Sequence, residues 1–224
     1  MGRPRGPAAR GAGHVREPRR RPAPAAIRSR SLILVIDTSS ARSAIALLRP
    51  DGSVAGEQVS QSGPVFGLAD GVRVMREGRP LSRVAVATGP GSFTGLRVGV
   101  SFGLGLAMGL KVPIVPLPTL AIQAARSEEP VLAVSEAGRG RVYHLAPGRE
   151  AGLAEAGELP QEWPAVGWLR PATQEALIAA GVRMQDESRL RTFGAAAALV
   201  LKTAREVAYD SLRLEYMQSF ASKF

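Results

Sequence analysis

Residues Val84–Leu110 read VAVATGPGSFTGLRVGVSFGLGLAMGL. The apolar, β-prone run Val84–Ala87 leads into a turn of Gly89, Pro90, Gly91 and Ser92, and a helix-length segment follows from about Thr94 to Leu110. The order is strand, tight turn, helix, with Ser92 or Thr94 able to cap the helix by accepting from its free N–H groups. Gly95, Gly99, Gly103, Gly105 and Gly109 all fall inside that helix. Each costs roughly 1 kcal/mol relative to alanine, so a compensating contact is expected. Gly95, Gly99, Gly103 and Ala107 are spaced by four and share one face. The other positions are apolar nearly all round, with Arg97 and Ser101 the polar exceptions. A helix apolar all round is buried on all sides. One side is therefore expected on the chain's own sheet and the other on a partner. The uncharged run Val98–Leu110 has 13 residues, short of the roughly 20 that a membrane span needs.

Working outward, Leu32–Ile36 is a continuous apolar run suited to a central strand. The polar turn Asp37-Thr38-Ser39-Ser40 separates it from a second strand, Ala41–Leu48, and Asp51-Gly52 marks a hairpin into a third, Val54–Ser60. Val65–Glu77 reads as a helix with Phe66, Ala69 and Val72 on its apolar side, stopped by Gly78. Beyond the central motif come a strand at Pro113–Pro118 and a helix at Thr119–Ala125. The pattern then restarts: Val131–Val134 and Arg141–Leu145 pair around the loop Glu136–Gly140, Ala165–Leu169 is a further strand, and Thr173–Ala180 and Thr192–Val207 are helices. Residues 146–165 are weakly patterned. Strand runs alternating with helices argue for an α/β fold, a mixed sheet flanked by helices.

Charge and composition narrow the chemistry. The net charge is +10 over 224 residues, but residues 1–30 hold nine arginines and one glutamate, which leaves the rest at +2. That Arg/Pro-rich tail cannot bury apolar area and is expected to be disordered; its charge suits contact with RNA. The chain has no cysteine, which removes disulfides, thiolate metal sites and a cysteine nucleophile. Only His14 and His144 are present, too few for a zinc or iron site. The GPGSFTG loop lacks the lysine of a phosphate-binding Walker loop. Its Gly89, Gly91 and Gly95 are one residue too widely spaced for a dinucleotide fingerprint, and Ser92 lacks the flanking glycines of a nucleophile elbow. Asp37, Glu136 and Asp186 could converge as paired carboxylates, although nothing in their spacing requires it. The hydroxyls and backbone of Asp37, Thr38, Ser39, Gly91 and Ser92 could contact a nucleotide or phosphate, with Asp37 holding a metal-bound phosphate or only closing its turn.

The segments ILVIDTSS, VAVATGPGSFTGLRVGVSFGLGLA and EAGRGRVY resemble the TsaB family, glycoprotease-like subunits of the machinery that makes threonylcarbamoyladenosine in tRNA. The resemblance covers about Leu32–Tyr143. It implies a two-lobed actin-like ATPase and sugar-kinase (RNase H-like) fold, with residues 31–118 as the first lobe and 119–224 as the second, the last segment folding back on the first. It also implies a non-catalytic, cytoplasmic scaffold without metal or obligatory cofactor, with at most weak nucleotide binding. This subunit supports a TsaD-like catalytic partner, is joined by a TsaE-like ATPase, meets tRNA only through that complex, and forms a homodimer when alone. Carried onto this sequence, the partner helices are Val65–Glu77 and Thr94–Leu110, with Phe66, Ala69, Arg73, Gly95, Val98, Gly99, Phe102, Gly103, Ala107 and Met108 at the interface. The alternative is an ATP-binding or ATP-hydrolysing enzyme of the same fold. The chain departs from the family at Gln61-Ser62-Gly63-Pro64, where a His–Ser pair is usual, at Glu136-Ala137-Gly138, in place of Asp-Ala-Arg, and around Tyr216.

Overall fold

A computed structural model describes residues 31–61 and 67–215. The tail 1–30, Phe66, the start of the expected helix at Val65, and Tyr216–Gln218 lie outside the described residues. Nine strands, β1 (Leu32–Asp37), β2 (Arg42–Leu48), β3 (Val54–Gln61), β4 (Leu81–Gly89), β5 (Ile114–Pro118), β6 (Leu132–Gly138), β7 (Arg141–Leu145), β8 (Gly152–Glu155) and β9 (Ala165–Val166), are described. With them are five α-helices: α1 (Leu68–Arg76), α2 (Phe93–Leu110), α3 (Thr119–Ala125), α4 (Pro171–Ala179) and α5 (Phe193–Leu201).

The first sheet has the order β3-β2-β1-β4-β5. β1 runs antiparallel to β2 and parallel to β4, with Ile36 beside Ile45 on one side and Val86 on the other. Both central strands are buried on both faces, which is why they read as unbroken apolar runs. Alternate residues serve two cores. Leu34, Ile36, Ile45, Val84 and Val86 face α1 and α2. Ile33, Val35, Ala46, Ala85 and Val115 face Ile122 of α3, Phe193 and Ala197 of α5, and Trp168.

The second sheet, β8-β7-β6-β9, repeats the plan on a smaller scale. Three meandering strands are followed by one, β9, that returns parallel to the first, β6. Leu132, Val134, Val142 and Ala165 pack with Leu177 of α4. On the opposite face Ala133 and Tyr143 pack with Leu120. Helix α3 is thus shared, Ile122 toward one sheet and Leu120 toward the other.

Three expectations change. β8 lies in the stretch that carries little pattern. The strand at 165–169 shortens to Ala165–Val166, and Gly167 after it comes against the Val134 carbonyl, closer than a Cβ would allow. The helix expected to reach Val207 ends at Leu201, where Lys202, Thr203 and Ala204 turn their N–H groups onto the last carbonyls. Val207 instead donates to Ile114 O at 3.0 Å on the edge of β5.

Candidate functional site

The sequence singles out two places, the loops at the carboxyl ends of β1 and β4 and the outer surface of α2. The loops hold each other. Asp37 is fully buried, and its Oδ1 accepts from Ser39 N at 2.8 Å and Ser39 Oγ at 2.6 Å. The Ser39 hydroxyl also meets Thr119 Oγ1 at 3.2 Å. Thr38 Oγ1 donates to Gly95 O at 2.7 Å, Ser92 N to Ser39 O at 2.6 Å, and Gly95 N to the capping Ser92 Oγ at 3.3 Å. A Cβ on Gly91 would overlap Ser39 O, and one on Gly95 would overlap Thr38 O. The hydroxyls and glycines expected to meet a phosphate thus also hold the two loops together. One atom of these loops stands apart, because buried Asp37 Oδ2 has no hydrogen-bond partner among the described residues. Burial raises the Asp37 carboxyl above its ordinary value, against the lowering effect of the Ser39 bonds.

The three carboxylates do not converge on one partner. Glu136 takes Arg170, accepting its N–H at 2.6 Å and its Nε at 3.2 Å. Asp186 accepts from Ser188 N at 2.9 Å and Oγ at 2.8 Å, closing a local turn. His144 on β7 packs its ring against Gly152, and burial lowers its pKa, helped by the Arg149 cation. Among the described residues no group of three or more His, Cys, Asp or Glu is placed to hold a metal ion.

The glycine face of α2 turns inward, which corrects its assignment to the interface. Gly99, Gly103 and Ala107 are buried against the chain's own first sheet. A Cβ on Gly99 would overlap Thr38 Oγ1, and one on Gly103 would overlap Val86 Cγ1. Phe102 is half-buried and joins the same core. Of the interface residues named from the resemblance, the structure leaves Ala69, Arg73, Val98 and Met108 exposed, and Phe66 falls outside the described residues. Arg73 pairs with Asp70 one turn away at 3.3 Å.

The outward face carries Thr94, Arg97, Val98, Ser101, Gly105, Met108 and Gly109. Val98 and Met108 are each 52% exposed, and on α1 Val74 is 64% exposed. A Cβ on Gly105 or Gly109 would meet nothing within 4 Å among the described residues. Arg97 lies over the Phe93 ring, 3.6 Å from its centroid. The signal for this face was present in the sequence. Arg97 and Ser101, polar side chains one turn apart in the body of the helix, mark its water side. The helix is long and apolar enough to cross a membrane, although its inner face lies on a sheet.

Comparison with known proteins agrees with this architecture. Residues 77–156 match the family model described as TsaD, tRNA N6-adenosine threonylcarbamoyltransferase. The tRNA threonylcarbamoyladenosine biosynthesis protein TsaB of Bacillus subtilis is 35% identical over 122 residues, covering 50% of this chain and 52% of the relative. Its namesake in Haemophilus influenzae is 31% identical over 140 residues, 58% and 59% of the two chains. The chain thus spans about half the length of the curated relatives it matches. The structure of YeaZ from Pseudomonas aeruginosa superimposes with a TM-score of 0.64 at 19% identity, covering 84% of this chain and all of that one. The chain therefore shares its fold with YeaZ and is similar in sequence to the TsaB proteins over about half its length.

Proposed function

We propose that this chain is a cytoplasmic, non-catalytic partner subunit of the complex that transfers a threonylcarbamoyl group to adenosine in tRNA, and that it supports a TsaD-like catalytic subunit. The observation that carries the reading is the outward face of α2 beside α1. It offers exposed apolar side chains, Val98 and Met108 on α2 and Val74 on α1, and two glycines, Gly105 and Gly109, whose lack of a side chain serves no contact among the described residues. A close-packed partner helix supplies the missing contact. The names of the relatives and the TsaD-type segment support the choice of partner. In this reading the same face closes a homodimer when the partner is absent, a TsaE-like ATPase joins the assembled pair, and tRNA is met through the complex.

The loops at Asp37 and Gly91 have the opposite character. Their polar groups fix α2 to the sheet and leave a bound phosphate few donors. We therefore expect no ATP turnover by the isolated chain. The enzyme alternative has one supporting observation, the unpartnered Asp37 Oδ2.

The test is molar mass by light scattering, for the chain alone and mixed with TsaD from the same organism. A dimer that gives way to a heteromer is expected. Val98→Asp places a charge on the outer face without touching the core. It should keep the wild-type melting curve and lose the heteromer. A chain that ignores TsaD, or a Val98→Asp variant that binds as wild type, removes the proposal. Hydrolysis by the isolated chain above background that vanishes in Asp37→Ala would favour the enzyme.

A further inference from the structure

The junction between the two lobes contains a buried cation that the docking surface does not use. Arg126 follows α3, and its side chain is only 4% exposed. Its Nη1 donates to Gln123 Oε1 at 3.3 Å and its Nε to Arg191 O at 3.4 Å, while Nη2 pairs with Glu187 Oε1. The same guanidinium lies over the Trp168 ring, 4.9 Å from its centroid. Glu187 Oε1 also accepts from Trp168 Nε1 at 3.5 Å and faces Arg42 at 3.4 Å.

These contacts tie the end of α3, which packs on both sheets, to residues that pack on the first. Trp168 follows β9 of the second sheet, yet its side chain is buried in the core of the first, 5.9 Å from the Phe193 ring. Its carbonyl accepts from Ala41 N at 3.3 Å, in the loop between β1 and β2. Arg191 leads into α5, which packs on the first sheet; its N–H donates to Arg126 O at 2.7 Å. Its own guanidinium holds Ala125 O at 3.1 Å and Ser127 O at 2.8 Å. A buried guanidinium with hydrogen bonds, an ion pair and a ring face is well compensated. Opening the lobes would strip those contacts and leave it uncompensated.

We propose that Arg126 is a lock on the angle between the lobes, with Trp168 the plug it holds in place. The chain then acts as one rigid body, and its two sheets do not open and close about a cleft between them. A subunit that presents α1 and α2 to a partner gains from this, since a fixed frame carries less ordering cost on binding. The inference does not depend on who the partner is.

The experiment uses the full chain with Trp163→Phe as background, so that Trp168 is the one fluorophore. Arg126→Met keeps an apolar stem over the ring and removes the charge. The expected result is a red shift of Trp168 emission, increased acrylamide quenching, and at least tenfold faster hydrogen exchange at the Ala41 and Arg191 amides. Amides of β1, β4 and β6 should keep their protection. Equal acceleration of all these amides would mean that Arg126 serves global stability alone and would overturn the lock. So would unchanged exchange at Ala41 with unchanged Trp168 emission. Should Arg126→Met fail to fold, Glu187→Gln at the half-exposed end of the pair decides by the same readouts, with a smaller acceleration expected at the same two amides.

Discussion

Asp37 is the residue at which local chemistry can be measured most directly. The alternating pattern of β1 and the turn after it place the carboxyl inside the protein, where Ser39 satisfies Oδ1 and Oδ2 is left without a partner. Desolvation is the larger effect and it raises the pKa, so the folded state binds this proton more tightly than the unfolded chain does. The linkage sign follows. Asp37's contribution is most favourable below the unfolded value of 3.8 and is lost as pH rises through the higher folded value. Each unit of elevation corresponds to about 1.4 kcal/mol. Asp37→Asn does not titrate. The stability of wild type relative to Asp37→Asn should therefore fall as pH rises above 3.8, read from urea midpoints of both proteins across that range. A difference that is flat with pH, or that rises, would show that the carboxyl is ionised in the folded protein at no cost.

At the scale of the element, α2 has two glycine faces with opposite roles. Inner Gly99 lies where a Cβ would collide with Thr38 Oγ1, whereas outer Gly105 has open space. Gly99→Ala should destabilise by about 1–3 kcal/mol through overpacking. Gly105→Ala should stabilise by up to about 1 kcal/mol through helix propensity while weakening the proposed complex with a TsaD-like subunit. Chemical denaturation and binding calorimetry on the two variants separate the roles; Gly99→Ala without loss of stability would remove the close packing from the argument. The strand–turn–helix and its Ser92 cap were legible in the sequence because apolar run, glycine turn and capping residue coincide. The side on which the helix meets the sheet was not. Periodicity defines faces but not which face a sheet takes, and a stripe of glycines suits a close-packed sheet as well as a close-packed partner helix. Other misses share this origin. β8 has four residues of mixed character, and β9 has two, so neither carries enough residues for a period to show. The pairing of Val207 with Ile114 depends on a long-range contact that no local pattern encodes.

At the scale of the molecule, elements beyond the point where the sequence pattern restarts reach back to the first sheet. The core on one face of the first sheet is closed by Ile122, Trp168, Phe193, Ala197 and Leu201, all beyond residue 118. Glu57 of β3 accepts from Gly194 N at 2.8 Å, which ties the start of α5 to the first sheet. A fragment of residues 31–118 would leave that face in water, and it should show no cooperative unfolding. The whole chain should unfold in one step, because elements from beyond residue 118 close the first-sheet core and α3 is shared by both sheets. The two tryptophans report the two cores separately: Trp163 packs against the second-sheet core and Trp168 sits in the first. In Trp163→Phe and in Trp168→Phe, the remaining fluorophore and far-UV circular dichroism should give coincident urea midpoints within each variant. Fluorescence that changes well before the dichroism in either one would mean that its lobe unfolds alone. The shared α3, the inserted Trp168 and the returning α5 would then be contacts between independent domains and not parts of one cooperative core.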